Sequence, residues 1–319
     1  MAPRLGIIGA GQLAQMSLAP ATALGIQLQI LANSESESAA QFFPVTIGDY
    51  KDIDHLMSFA EQCDVITFEH ELVPNGHIRR LEELGKLVRP SSTAFRHSQD
   101  KLHMRKSFSE AGLPQPRWKV VSSADDIDSY PVILKAITGG YDGRGVRLVN
   151  NQSEATAAIV EWGSALSEEV VHFDRELAIM IARSPHNQVS LWATTETVQK
   201  DGICVETISP APNLSEETAF QAQEIALAIA EHIQLIGVMA VELFDVAGTL
   251  LINEIALRPH NSGHWTIEGA HTSQFEQHIR AVLDLPLGST ALTNPWAVMG
   301  NILGGSKNDL FGIVNGNRY

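Results

Sequence analysis

The chain is 319 residues long, enough for about two or three compact units, and its 44% hydrophobic and 18% charged residues suit a soluble globular protein. No apolar run reaches the roughly 18 residues of a membrane span, and the glycine-interrupted N-terminus MAPRLGIIGAGQ lacks the apolar segment of a signal peptide, so a cytoplasmic protein is expected. A net charge of −15 argues against a broad nucleic-acid surface, and Cys63 and Cys204, far apart, suggest neither a disulfide framework nor a zinc site.

Residues 4–90 alternate strand-like and helix-like segments. Strands are expected at Arg4–Ile8, Ile26–Ala32, Val45–Ile47 and Asp64–Phe68, and helices at Gln12–Leu24, Asp52–Gln62 and Gly76–Leu84. Such alternation predicts a parallel sheet with helices on its faces. One helix is expected between Phe95 and Ala111, stopped by Gly112 and Pro114. Strands follow near Arg117–Val121, Val132–Ala136 and Gly145–Val149, then a helix over about Ser153–Trp162 and further strands from Val170 to Ile208. The spacing of Ala222, Ile225, Ala226, Ile229, Ala230 and Ile233 predicts an amphipathic helix over Ser215–Gln234. Ser273 and Glu276 have capping-box spacing before a helix that buries Phe275, Ile279 and Val282.

The chemistry is densest in Val238–Trp265, which reads as two strands joined by an Ala247-Gly248 turn and followed by a polar loop. Side chains alternate between the faces of a strand, so the hairpin can bring Glu242 and Glu254 onto one surface. Two carboxylates beside an amide suit a hard cation such as Mg²⁺, and Arg258 on the following loop suits a small anion or a phosphate. In TGGYDGRGV, Thr138 to Val146, four glycines within seven residues are costly to order, and their backbone amides can fold over phosphate oxygens. Lys135 precedes that loop on an apolar strand, where a phosphate partner would explain it. GAGQLA, Gly9 to Ala14, lies between a strand and a helix. It suits a phosphate-bearing substrate or a tight turn, whereas Asn33 stands where a nicotinamide site would need an acid. Glu168 to Glu176 reads as a strand with charged ends that could meet a nucleotide. Glu69 and Glu71 of FEHE end a strand at the carboxyl edge, where α/β sheets bind ligands.

Taken in order, these pieces resemble the ATP-grasp superfamily: a Gly-x-Gly α/β domain, a lysine helix, a Lys strand with a glycine loop, an acidic hinge and paired carboxylates. Within it, the strings GIIGAGQLAQM, TFEHE, GGYDGRGV, FDRE, GVMAVELF, NEIALRPHNSGHWT and SQFEQHIRAVLDLPLG, from Leu5 to Gly288, resemble the N5-carboxyaminoimidazole ribonucleotide synthetases of purine biosynthesis. The resemblance implies an ATP-grasp fold, α/β and α+β, with a Rossmann-like N-terminal parallel-sheet domain. Its divisions are 1–95 for substrate, 96–172 as the small ATP-grasp subdomain, and 173–319 as the large subdomain, C-terminally incomplete.

It also implies an ATP-dependent carbon–nitrogen ligase that carboxylates 5-aminoimidazole ribonucleotide with bicarbonate through carboxyphosphate. Lys101 and Lys135 would contact ATP phosphates under a backbone formed by Gly140, Tyr141, Asp142, Gly143, Arg144, Gly145 and Val146. Glu168 and Val171 would form the adenine hinge, Glu176 would take the ribose, and Gln199 and Asn253 would lie beside the nucleotide. Glu242 and Glu254 would hold Mg²⁺, with Glu254 also at the nucleotide. Arg258, Asn261 and His264 would surround bicarbonate. Glu69, Glu71, Tyr141, Asp142 and His260 would form the aminoimidazole pocket. A homodimer, functionally coupled to a downstream mutase, is implied as well.

Two departures from the family pattern stand out. Leu257 replaces a usual proline, with little effect expected. The chain also stops at Tyr319 without the C-terminal tyrosine-glycine-lysine run and arginine-lysine pair that relatives use on the ribonucleotide phosphate. ATP and Mg²⁺ binding should survive that difference. The alternatives are another ATP-grasp carboxylate–amine ligase and a nucleotide-binding remnant without turnover.

Overall fold

Three sheets follow one another along the chain in the structure, a computed structural model that describes residues 2–140, 145–200 and 202–302. The first is parallel, with β1 (Arg4–Ile8), β2 (Gln27–Ala32), β3 (Thr46–Ile47) and β4 (Val65–Phe68) in the order β3-β2-β1-β4. Helices α1 (Gln12–Ala23), α2 (Ile53–Ala60) and α3 (Asn75–Glu83) alternate with these strands. Because helices cover such a sheet, its strands are continuous apolar runs: Leu5, Ile7 and Ile8, then Val65, Ile66 and Phe68, are all buried.

The single helix expected between Phe95 and Ala111 is two helices, α4 (Ser92–Gln99) and α5 (Lys101–Glu110). Asp100 separates them in an extended conformation, φ −125° and ψ 98°, and its carboxylate accepts the His103 N–H at 2.9 Å. An aspartate at this position satisfies an amide that the first helical turn leaves unpaired. The break also makes Lys101 the first residue of α5, with its own N–H donating to the Ile137 carbonyl at 2.9 Å.

The second sheet is antiparallel. It comprises β5 (Trp118–Val121), β6 (Val132–Ala136), β7 (Val146–Val149) and β8 (Ala165–Glu169), in the order β5-β8-β6-β7. Helix α6 (Gln152–Trp162) packs Ala155, Ala158 and Ile159 against Val121, Leu134 and Val149. The third sheet holds β9 (Arg175–Arg183), β10 (Val189–Leu191), β11 (Thr195–Lys200), β12 (Ile203–Ser209), β13 (Gly237–Val246), β14 (Thr249–Ala256) and β15 (Ala297–Gly300). Its order is β14-β13-β9-β11-β12-β15, with β10 paired to β9. Helix α7 (Glu216–His232) buries Ala222, Ile225, Ala226, Ile229 and Ala230, as its periodicity predicts, and Ile233 just beyond its end. The short α8 (Thr266–Gly269) precedes α9 (Gln274–Val282). Half of the expected capping box forms at α9: Ser273 accepts the Glu276 N–H at 3.2 Å, while the Glu276 carboxylate turns to Arg280 at 2.7 Å.

The first and third sheets share one core, in which Ile8, Phe68 and Phe95 cluster with Met239, Ile255 and Leu257. A buried imidazole joins them as well. His278 Nδ1 accepts the Val238 N–H at 3.1 Å, which leaves Nε2 to donate to Thr67 Oγ1 at 2.7 Å. That seam fixes how the carboxyl ends of β1 and β4 face the hairpin of β13 and β14.

Candidate functional site

The hairpin turns at Ala247 and Gly248, both with positive φ (50° and 85°), as a two-residue turn that follows strand twist requires. Its register sets Glu242 directly opposite Glu254, so the two carboxylates do share a surface. The next pair is Leu243 with Ile252, leaving Asn253 as the extra residue of a β-bulge. In a regular strand Asn253 and Glu254 would point to opposite faces. The bulge re-aims them, and both line the same cavity.

Two lysines and an arginine hold this arrangement. Lys101 Nζ lies 2.7 Å from Glu254 Oε2, and Lys135 Nζ lies 2.9 Å from Asn253 Oδ1. Lys135 also has an internal partner, Glu168, at 2.9 Å, so a phosphate is not needed to explain its burial. Glu168 is shared with the fully buried Arg105 at 2.7 and 3.2 Å. The same guanidinium donates to the carbonyls of Ile252 and Asn253 at 3.0 and 2.7 Å, clamping the bulge from behind. Burial alone would raise the Glu168 carboxyl, but Lys135 and Arg105 outweigh it and bring it to about 2. Burial pulls the Lys135 ammonium down, Glu168 opposes that, and like-charge repulsion from Arg105 and Lys101 lowers it further. One carboxylate between two cations, each within hydrogen-bond reach, is stable as an ionised cluster.

The two facing carboxylates titrate apart. Burial, with the adjoining Glu254 charge, raises Glu242, whereas Lys101 chiefly lowers Glu254. Paired carboxylates of this kind relax when a cation is placed between them. Among the described residues no group of three or more His, Cys, Asp or Glu side chains could hold a metal ion. The chemistry of the pair itself fits Mg²⁺, which takes one or two protein carboxylates and completes its shell with water and phosphate oxygens.

On one side of the pair lies a cavity of about 360 Å³. Its walls are apolar where Ile133, Leu148, Val171 and Phe244 line it, and Phe173 stacks on Phe244 with ring centroids 4.8 Å apart. Glu168, Glu176, Gln199 and Val146 complete it, and burial raises the Glu176 carboxyl. A flat apolar slot that ends in lysines and carboxylates suits an aromatic base carrying phosphates.

On the other side a cavity of about 520 Å³ runs between Gly11, Gln12, Glu69, His70 and Glu71 of the first domain and Gly139, Gly140, Arg258 and His264. Arg258 Nε binds Glu71 Oε2 at 2.7 Å across this space. Glu69 is more than a lining acid. Its carboxylate accepts the Gly11 N–H and, at 3.0 Å, the Ala14 N–H. The anion at the α1 N-terminus is thus the protein's own side chain. A Cβ on Gly9 would come within 2.5 Å of Glu69, and one on Gly11 within 2.7 Å, so the glycines admit Glu69 rather than a bound phosphate. Sequence spacing alone leaves that question open.

Glu254, His260 and Asn261 line both cavities. His260 Nε2 lies 3.7 Å from Glu242 Oε1, and burial holds its ring at about 3. Asn261 Oδ1 is buried without a hydrogen-bond partner among the described residues at this junction, where a ligand donor would satisfy it. Gly145 takes φ +76°, and a Cβ there would press on Ala136 and Gly140. Tyr141, Asp142, Gly143 and Arg144 lie outside the described residues. Sequence reasoning missed Arg105, Phe244 and Gln274. Arg105 has a visible signal, a charge on the apolar side of a helix between Met104 and Phe108, but its partners are remote in sequence.

Residues 106–275 match the ATP-grasp domain, and residues 2–99 match the ribonucleotide synthetase preATP-grasp domain. An N5-carboxyaminoimidazole ribonucleotide synthase from Mycobacterium tuberculosis is 45% identical over 319 residues, 96% of this chain and 74% of the relative. One from Bacillus subtilis is 34% identical over 310 residues, 94% and 81% respectively. The structure is similar to N5-carboxyaminoimidazole synthetase from Staphylococcus aureus complexed with ADP, with a TM-score of 0.91 at 32% identity over 98% of this chain and 86% of that one. It is also similar to the Aspergillus clavatus enzyme in complex with ADP and 5-aminoimidazole ribonucleotide, with a TM-score of 0.88 at 30% identity over 97% and 84%.

Proposed function

The chain belongs to the N5-carboxyaminoimidazole ribonucleotide synthase family of ATP-grasp enzymes, and on that premise we propose how its own residues carry out the ATP-dependent carboxylation of 5-aminoimidazole ribonucleotide by bicarbonate. The observation that carries the proposal is the shared wall: a nucleotide-shaped cavity and a polar cavity meet at Glu254, His260 and Asn261. A phosphoryl group leaving the first would find its acceptor in the adjoining second.

Adenine occupies the slot between Ile133, Leu148 and Phe244, with backbone contacts from Glu168 to Val171, and Glu176 accepts from the ribose. Lys101, Lys135 and Asn253 face the phosphates, with Gly140, Gly145 and Val146 nearby. Glu242 and Glu254 would hold Mg²⁺, which when bound would supply neutralisation of phosphate charge. A bicarbonate oxygen attacks the γ-phosphorus, ADP leaves, and carboxyphosphate remains beside Arg258, Asn261 and His264. The exocyclic amine then attacks its carboxyl carbon, phosphate departs and the nitrogen loses a proton, giving the carbamate. Glu69, Glu71, Tyr141, Asp142 and His260 surround the aminoimidazole. Arg258 turns from its internal partner Glu71 to the anion, so the guanidinium is paired before and after binding.

The proposed division of labour follows the segments 1–95 for substrate, 96–172 for the nucleotide lid and 173–319 for the metal. Among the described residues no helix is long and apolar enough to cross a membrane, which supports the proposed cytoplasmic location. A homodimer and hand-over of the unstable carbamate to a downstream mutase complete the proposal. ADP release tests it: release should require bicarbonate and the ribonucleotide together. Equal release with formate in place of bicarbonate would contradict it.

A further inference from the structure

Gln274, the first residue of α9, is fully buried behind the loop that carries His260 and His264. Its Oε1 accepts the His260 backbone N–H at 2.7 Å, and its Nε2 donates to the His260 backbone carbonyl at 2.7 Å. Backbone donors and acceptors cannot exchange roles, so these two bonds fix which end of the amide is oxygen. The same Nε2 lies 3.0 Å from His264 Nδ1. An amide NH₂ can only donate, so that ring nitrogen must be the unprotonated acceptor. Burial, with Arg258 close by, pushes the His264 ring down to about 4 and keeps it neutral at pH 7. Its single proton then sits on Nε2. Phe275 lies along the ring with centroids 5.8 Å apart, and His264 lines the polar cavity.

We propose that Gln274 is a positioning residue that locks His264 in the Nε2–H form, so that His264 presents a hydrogen-bond donor to the anion in the polar cavity and does not act as a base. This rests on the reading of that cavity as the bicarbonate and carboxyphosphate site. A fixed donor aimed at an oxyanion stabilises charge without reorganising. The proton lost by the attacking amine therefore goes elsewhere, and the departing phosphate is an acceptor the reaction itself supplies. Gly263 belongs to the same device, since a Cβ there would lie 2.6 Å from Gln274 Oε1.

The test is a two-bond proton–nitrogen NMR spectrum of the whole chain with ¹⁵N-labelled histidine at pH 7, the His264 signals being those lost in His264→Asn. The expected pattern is an unprotonated Nδ1 and a protonated Nε2. A protonated Nδ1, or averaged tautomers, would overturn the proposal. Gln274→Glu replaces the donor with an acceptor, and both His264 nitrogens should then carry protons. Gln274→Met removes the donor without adding charge, and should release the ring into averaged tautomers. A His264 tautomer unchanged in folded Gln274→Met would reduce Gln274 to packing and end the proposal. Kinetically, Gln274→Met should lower kcat on the order of ten- to a hundredfold, the range for a lost supporting contact, with the KM for ATP nearly unchanged. A wild-type spectrum as expected, in a chain that fixes no bicarbonate, would refute the cavity reading and leave the tautomer assignment standing.

Discussion

Glu168, Lys135 and Arg105 form a buried charge cluster that does two jobs. It neutralises a carboxylate inside the protein, and through Arg105 it holds the Ile252 and Asn253 carbonyls that shape the bulge. Arg105→Met leaves Glu168 with Lys135 alone and strips the donors from the Ile252 and Asn253 carbonyls. It is expected to cost about 3–5 kcal/mol of stability, the range for removing one partner of a buried charge network, and urea denaturation measures it. Glu254→Gln should behave oppositely. Its carboxylate faces a cavity and Lys101, so the variant should fold with near-normal stability while Mg²⁺-dependent ADP formation falls on the order of a hundredfold or more. An unchanged Mg²⁺ dependence would remove Glu254 from the metal site. Glu242, Glu254 and Lys135 are legible in the sequence, because charged residues inside apolar strands need a reason, and Arg258 is legible in the polar loop that follows, whereas Lys101 comes only from the family resemblance. What they pair with is not legible, since Lys101 meets Glu254, and Arg105 meets Glu168, across long stretches of chain.

At the scale of elements, small irregularities place the chemistry. The bulge at Asn253 turns two consecutive residues into one cavity, and the break at Asp100 starts a new helix at Lys101. Asp100→Ala removes the cap of α5 and should cost about 1 kcal/mol. The loss should also loosen Lys101, so the KM for ATP is expected to rise along with the fall in Tm. A change in Tm alone would separate the break from the site. The periodicity of α7 and the Ala247-Gly248 turn are readable because each is a local rule. The α4–α5 break is not, because Ser, Gln and Asp between apolar residues fit an uninterrupted helix equally well. Likewise, Gly9 and Gly11 announce an anion at the α1 N-terminus without saying that Glu69 supplies it.

At the scale of the molecule, the seam between the first and third sheets sets the width of the polar cavity. Thr67–His278, Arg89 donating to the Val282 carbonyl at 2.6 Å, and Glu71–Arg258 all cross it. His278 can serve only while neutral, because a proton on Nδ1 would break its bond from the Val238 N–H. Burial lowers its folded-state value to about 4, from an ordinary 6.5. The unfolded chain binds that proton first, so the contribution is fully present above about pH 6.5 and is lost as the pH falls toward 4. By pH 5 the loss amounts to about 2 kcal/mol. His278→Gln is expected to be less stable at pH 7, with a pH–stability curve shallower than the wild type's by that amount. Parallel curves would mean that His278 does not titrate with unfolding.

Two cavities that meet at Glu254, His260 and Asn261 are proposed to convert bicarbonate into a carboxylated amine at the expense of ATP. The most direct measurement supplies the chain with MgATP, ¹³C-labelled bicarbonate and 5-aminoimidazole ribonucleotide, and passes the carbamate to the downstream mutase for trapping. Labelled carboxylated ribonucleotide should form in equal amount to ADP. ADP formed without any label in the ribonucleotide, under conditions where ATP still binds, would contradict it.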